Sequence, residues 1–206
     1  MRSRTYAQLL LVLLGFVLLG TTQAQRCLPA WTPKNAQEQR LWTQERDEWQ
    51  RYLELLPRYL TKLGPTPDRT LRIPVAKIEV ADVTDSWGAA RSFGRQHEGQ
   101  DIFAPVGTRV YSATGGYIWR ISERVLGGKS VTVVGNGGMR YYYAHLSSYA
   151  DIHEGQRVTS QTLLGFVGRT GNARTTPPHL HFGISTGNPL RCERRVFDPL
   201  PLLRNR

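Results

Sequence analysis

The tripeptide His179-Leu180-His181 is the strongest constraint on what this chain can become. Leu180, Phe182 and Ile184 favour an extended run, and on a strand residues i and i+2 share one face, roughly 6.5–7 Å apart. Any fold that keeps this run extended sets two imidazoles side by side on one surface. The chain has five histidines in 206 residues. Four of them fall in three short strings: His97-Glu98-Gly99-Gln100-Asp101, Tyr143-Ala144-His145-Leu146 and His179-Leu180-His181-Phe182. The fifth, His153, sits in the polar turn Asp151-Ile152-His153-Glu154-Gly155 and reads as a surface residue.

His97 and Asp101 make a second spaced pair. Gly99 and Gln100 between them argue for a strand entered through a turn, not a helix. Asp101 leads into Ile102-Phe103-Ala104-Pro105, an apolar run able to bury and fix that strand. Two imidazoles and one carboxylate form a three-ligand set, and zinc in hydrolases takes three protein ligands and keeps a fourth position for water. A metal site with hydrolytic chemistry is therefore predicted. Spacing alone leaves open which of His179 and His181 binds the metal. His145 and the remaining histidine are then free for proton transfer and oxyanion support. The helical His-Glu-x-x-His motif is absent.

Twenty glycines and twelve prolines suit a turn-rich β protein. Strands are predicted over 77–83, 109–113, 117–121, 130–134, 140–145, 163–167 and 179–184. Gly127-Gly128 and Asn136-Gly137-Gly138 read as hairpin turns. The expected fold is mainly β, with a compact antiparallel sheet core. An amphipathic helical segment precedes it over about 36–63, where Trp42, Trp49, Leu53, Leu56, Leu60 and Leu63 form one apolar stripe. Pro57 should kink this helix or start a second one, and Gly64-Pro65 should end it. The stripe is expected to pack on the β domain or to dimerise.

Arg2 and Arg4, the apolar run Leu9 to Leu19 and the small residues Thr22 and Ala24 match a secretory signal peptide cut after Ala24. The run is shorter than the about 20 residues that span a bilayer, and an uncleaved inner-membrane anchor is the alternative. The residues before Cys27 do not form a lipobox. Export permits a disulfide between Cys27 and Cys192. The expected organisation is a signal peptide over 1–24, a helical segment and linker over 25–74 and the metal-binding domain over 75–206. The net charge of +11 falls to +9 once Arg2 and Arg4 are removed with that peptide. Such a chain suits anionic partners. No basic-aromatic motif points to nucleic acid, so wall polymer or a membrane surface is expected.

The strings resemble the lysostaphin-type (LytM-like) zinc metallopeptidases over about residues 85–200. The matching motifs are Phe93-Gly94, His97-Glu98-Gly99-Gln100-Asp101-Ile102, Ala104-Pro105-x-Gly107-Thr108, Gly115-Gly116, Tyr143-Ala144-His145-Leu146, Gly155-Gln156-x-Val158, Gly165-x-Val167-Gly168-x-Thr170-Gly171 and Pro178-His179-Leu180-His181-Phe182. They occur in the family's order. The resemblance implies one Zn²⁺ per chain, held in a groove by His97, Asp101 and His181, with His145 and His179 as the catalytic histidines. It implies an endopeptidase acting on peptide cross-links of peptidoglycan. The signal segment makes the periplasm or the outside of the cell the expected location, and a periplasmic setting makes D-Ala to diaminopimelate the expected linkage, with a glycine bridge as the alternative in a thick-walled host. A regulatory protein partner and masking of the groove by residues 28–74 are further expectations. The alternatives are a non-catalytic module that activates another wall hydrolase and a zinc peptidase acting on proteins. One stretch departs from the family pattern: Asn172-Ala173-Arg174-Thr175-Thr176-Pro177-Pro178 replaces the usual Gly-x-Ser-Thr-Gly-Pro.

Overall fold

The structure, a computed structural model, describes residues 35–91, 95–187 and 194–206. The signal peptide, Cys27, Cys192 and the Phe93-Gly94 motif lie outside the described residues. The chain divides into two compact units, one of residues 1–53 with 187–194 and one of 54–186 with 195–206. The first contributes most of helix α1 (Ala36–Leu60). This helix continues past Pro57 for three residues instead of breaking there. The side chains of Trp42, Trp49 and Leu53 are outside what is described, so the fate of the expected stripe is too. No helix among the described residues is long and apolar enough to cross a membrane.

The second unit is mainly β. Its strands in chain order are β1 (Leu71–Arg72), β2 (Ala90–Arg91), β3 (Arg95–Gln96), β4 (Gln100–Phe103), β5 (Arg109–Tyr111), β6 (Gly116–Arg124) and β7 (Gly128–Val134). They continue with β8 (Arg140–Tyr149), β9 (Arg157–Val158), β10 (Leu163–Val167), β11 (His179–Thr186), β12 (Arg195–Phe197) and β13 (Leu203–Arg204). The main sheet runs β12-β11-β8-β7-β6-β9, and all of its described pairings are antiparallel. β4 and β12 share one edge of β11: β4 pairs with 179–182 and β12 with 184–186. β8 likewise changes partner along its length, meeting β11 through residue 144 and β10 from residue 146.

Strand alternation sets the two faces of β11. Leu180, Phe182 and Ile184 point into the core and are buried almost completely, beside Ile102, Tyr143 and Leu146. Each such burial is worth about 1.5–3 kcal/mol. The Tyr143 ring packs at a tilt against Phe182, centroids 5.1 Å apart, and its hydroxyl accepts the Ala113 N–H, while burial pushes its phenol up to about 12. His179 and His181 take the opposite face. The core thus anchors the strand that displays them.

One strand expectation fails. Residues 77–83 form a turn with Lys77 at φ 62° followed by a 3₁₀ turn at Val80–Asp82. The Glu79 N–H donates to the nearby Asp82 side chain and the Val80 N–H to the side chain of Asn205 far along the chain, not to a neighbouring strand. Ile78, Val80 and Val83 still pack against the core from this irregular segment, which is why they mimic a strand pattern.

Candidate metal centre

Sheet register assembles the site. His181 lies directly opposite Asp101 on β4 and opposite Ala144 on β8. Directly opposed residues on one face have Cβ atoms about 4.5–5.5 Å apart, so pairing alone brings this carboxylate and imidazole together. His97 arrives from the turn before β4, where its N–H donates to Ala89 and its carbonyl accepts from Gly88. His179 stands two residues before His181 on the same face. All five residues singled out from the sequence therefore converge. His153 lies exposed in its turn, outside the group.

Three donor atoms face one another. His97 Nε2 is 2.8 Å from His181 Nδ1 and 3.1 Å from Asp101 Oδ1, and His181 Nδ1 is 3.3 Å from that same oxygen. Zinc–ligand bonds of about 2.0–2.1 Å at tetrahedral angles put neighbouring donors about 3.3 Å apart. The closest pair, at 2.8 Å, needs to spread by about half an ångström to reach that spacing, and the other two pairs by less. The donor set, two imidazoles and one carboxylate, has the chemistry of a zinc site. Gly99 leaves the space: a Cβ there would come within 2.7 Å of His181 Cε1.

The surroundings fix the tautomers. His97 Nδ1–H donates to the Ser86 carbonyl at 2.7 Å, which turns an unprotonated Nε2 inward. A ligating histidine oriented through its other nitrogen is the usual support of a metal site. Arg91 donates to Asp101 Oδ2 at 2.6 Å, leaving Oδ1 as the inward oxygen. His145 Nδ1–H donates to the Thr170 carbonyl at 2.9 Å and His179 Nδ1–H to the Pro177 carbonyl at 2.8 Å. Their Nε2 atoms are the free ones, and His179 Nε2 stands 3.7 Å from Asp101 Oδ1. The two rings meet edge to face at 5.0 Å.

His145 owes its direction to a bulge. Along β8 it sits at φ 64°, the left-handed region that is rare for a non-glycine residue. The β7 register slips there, with Lys129 opposite Leu146 but Val131 opposite Tyr143, so Ala144 and His145 together oppose Ser130. Such bulges re-aim side chains beside active sites. Around it Gly171, at φ 68°, approaches so closely that a Cβ would lie 2.3 Å from Gly128 N and from the Leu126 carbonyl. Thr170 Oγ1 accepts from Lys129 N and donates to the Leu146 carbonyl, tying the 170–172 turn to the β6–β7 hairpin and to β8.

Charge follows burial and neighbours. Burial raises the Asp101 carboxyl, but in the metal-free site protonated forms of His181 and His97, which can donate to it and attract its charge, outweigh burial and hold it well below the usual carboxylate range. Burial, followed by the neighbouring His179 and His181, lowers His145 to about 4. Burial also lowers His181 against the opposing pull of Asp101. His145 thus stays neutral at ordinary pH.

Sequence reasoning missed the supports: Ser86, Arg91 and the carbonyls of Thr170 and Pro177. Pro177 belongs to the stretch that departs from the family pattern. That stretch forms a 3₁₀ turn at Gly171–Ala173, and Thr176 Oγ1 donates back to the Ala173 carbonyl. Exposed Phe103 lies 5.4 Å from the His179 ring, and Val125 and Leu126 are exposed at the hairpin tip that holds Gly171.

Known proteins share this domain. An L-Ala–D-Glu endopeptidase of Bacillus subtilis (strain 168) is 39% identical over 127 residues, which span 58% of this chain and 38% of that protein. Glycyl-glycine endopeptidase ALE-1 of Staphylococcus capitis is 34% identical over 114 residues, 54% of this chain and 30% of that one. The chain thus spans well under half the length of these curated relatives. A crystal structure of a candidate glycyl-glycine endopeptidase lytM from Ruminococcus gnavus ATCC 29149 superposes with a TM-score of 0.52 at 27% identity, covering 80% of this chain and 69% of that one. Residues 95–192 match the profile of peptidase family M23, so this part of the chain is a peptidase M23 domain.

Proposed function

We propose that this chain is a zinc-dependent endopeptidase that hydrolyses peptide cross-links of bacterial peptidoglycan. The observation that carries the reading is the convergence of His97, Asp101, His145, His179 and His181 on one face of the sheet. His97 Nε2, Asp101 Oδ1 and His181 Nδ1 would hold one zinc ion. Bound there, zinc supplies a Lewis acid for the scissile carbonyl and acidifies a water molecule. The chain's own residues supply the rest. His145, neutral and with Nδ1–H committed to Thr170, offers Nε2 as a proton acceptor. His179, held through Nδ1 by Pro177, presents Nε2 beside it. One of the two takes the proton of the attacking water, and the other supports the oxyanion and then the leaving amine.

The relatives that cut L-Ala–D-Glu and glycyl-glycine bonds support a wall peptide as substrate. Our reading of the linkage is D-Ala to diaminopimelate. We place the enzyme in the periplasm or outside the cell, exported through residues 1–24, with residues 25–74 as helical segment and linker and 75–206 as the metallopeptidase domain. The test is zinc content and sacculus digestion on the chain beginning at Gln25. We expect about one zinc per chain and released muropeptides, with both lost in His181→Ala. In His145→Ala the zinc should remain while turnover falls about 10²–10⁴-fold, the range of a lost acid–base group. Retention of most activity by His145→Ala would overturn the assignment of roles.

A further inference from the structure

Gln100 lies between the ligands of the His97–Asp101 pair, at a position whose side chain faces the opposite side of β4 from Asp101. It is completely buried, an unusual place for a primary amide. Every polar group it carries has a partner. Its Oε1 accepts from Ser86 N at 2.8 Å and from Ser86 Oγ at 3.1 Å. Its Nε2 donates to Asp85 Oδ1 at 2.7 Å and to Asp198 Oδ1 at 3.0 Å. The amide cannot be turned over, because the N–H of Ser86 needs an acceptor and two carboxylates need donors.

Ser86 carries this clamp to the site at two points. Its carbonyl receives His97 Nδ1–H, and its Oγ accepts the Asp101 N–H at 3.0 Å. The donors therefore run in one direction: Asp101 N–H to Ser86 Oγ, Ser86 O–H to Gln100 Oε1, Gln100 N–H to Asp85 and Asp198. One residue, Ser86, fixes the tautomer of one ligand and the backbone of the other. One amide holds that residue against both the 85–87 segment and the segment at Asp198. The Gln100 amide, with the Trp87 N–H, in turn holds the Asp85 carboxyl below the usual carboxylate range, so the anchor stays charged.

We infer that Gln100 and Ser86 are positioning residues for the metal ligands, a buried clamp that sets how tightly His97 and Asp101 hold zinc. The inference rests on the zinc reading above. It applies to this chain because a leucine or valine at position 100 would fill the core but could not hold Ser86.

The experiment uses the chain from Gln25 with Gln100→Leu and Ser86→Ala. Zinc affinity is measured by competition with a chromogenic chelator, and ligand geometry by the visible d–d bands of the cobalt-loaded protein. Near-ultraviolet circular dichroism of the metal-free proteins reports folding separately. We expect Gln100→Leu to weaken zinc by tenfold or more, in the range for lost outer partners of metal ligands, with shifted cobalt bands. Ser86→Ala keeps the carbonyl for His97 and should lose less, with the bands still shifted. A role confined to core packing would alter folding and leave the bands of the folded protein unchanged. Zinc affinity within twofold of the parent and parental cobalt bands in folded Ser86→Ala would overturn the inference, and that arm stands even if Gln100→Leu does not fold. A parent chain that binds neither zinc nor cobalt would overturn the zinc reading itself.

Discussion

The two halves of the site are held by different means. The proposed ligand half, His97 and Asp101, rests largely on side chains, the Ser86 hydroxyl, the Gln100 amide and the Arg91 guanidinium, with one main-chain carbonyl, that of Ser86, on His97. The other half, His145 and His179, rests on main chain: two carbonyls, a left-handed residue and glycines in close approach. A side-chain support can be deleted while the backbone stays in place. A main-chain support can be altered only by moving the loop that carries it. The ligand half should therefore fail in affinity, and the proton-handling half in rate.

Among the residues that support the site, the largest effect should come from Gly171→Ala. Its φ of 68° disfavours any side chain, and the added Cβ would overlap Gly128. Displacing the 170–172 turn moves the carbonyl that orients His145. A shift of about 1 Å in a catalytic group can cost about 10²-fold in rate. Turnover should fall toward that extent with zinc affinity nearly unchanged, and kinetics at saturating zinc beside chelator titration would show it. Arg91→Ala should do the reverse. Freed from Arg91, Asp101 can rotate, and zinc should bind about tenfold more weakly. Excess zinc should then restore most of the turnover, which it cannot do for Gly171→Ala. If both variants respond to zinc alike, the division between the halves is wrong.

The smallest effect is a tilt in stability with pH. His145 is lowered to about 4 in the folded metal-free protein, against about 6.5 unfolded. Between these values the unfolded chain binds the extra proton, so stability falls as pH falls from about 6.5 to about 4. It changes little from this group above or below that window. The slope is at most about 1.4 kcal/mol per pH unit. His145→Gln should reduce the slope in denaturant melts taken across the window, leaving the part that the lowered His181 contributes. Asp101, held low, adds its own loss only below the ordinary carboxylate range.

Much of this was legible in the sequence because it depends on local periodicity. The alternation of Leu180, Phe182 and Ile184 with His179 and His181 already separates a core face from a site face. The resemblance supplied the split between His179 and His181, which strand spacing cannot make. The 77–83 segment misled because its apolar residues pack on the core from a 3₁₀ turn. The bulge at His145 has no signature in Tyr143-Ala144-His145-Leu146, since histidine does not announce a positive φ. The Gln100 clamp was hidden for another reason: its carboxylate partners stand 15 and 98 residues away in the chain.

That distance bears on the order of events during maturation. Asp101 and His181 are 80 residues apart, and they meet only when β11 lies between β4 and β8. Pairings so remote in sequence are slow to form, so a chain emerging N-terminus first carries His97 and Asp101 well before their third partner arrives. An incomplete set of two donors has little hold on a scarce ion. On the zinc reading proposed above, metal capture would then come last, as the mark of a finished fold.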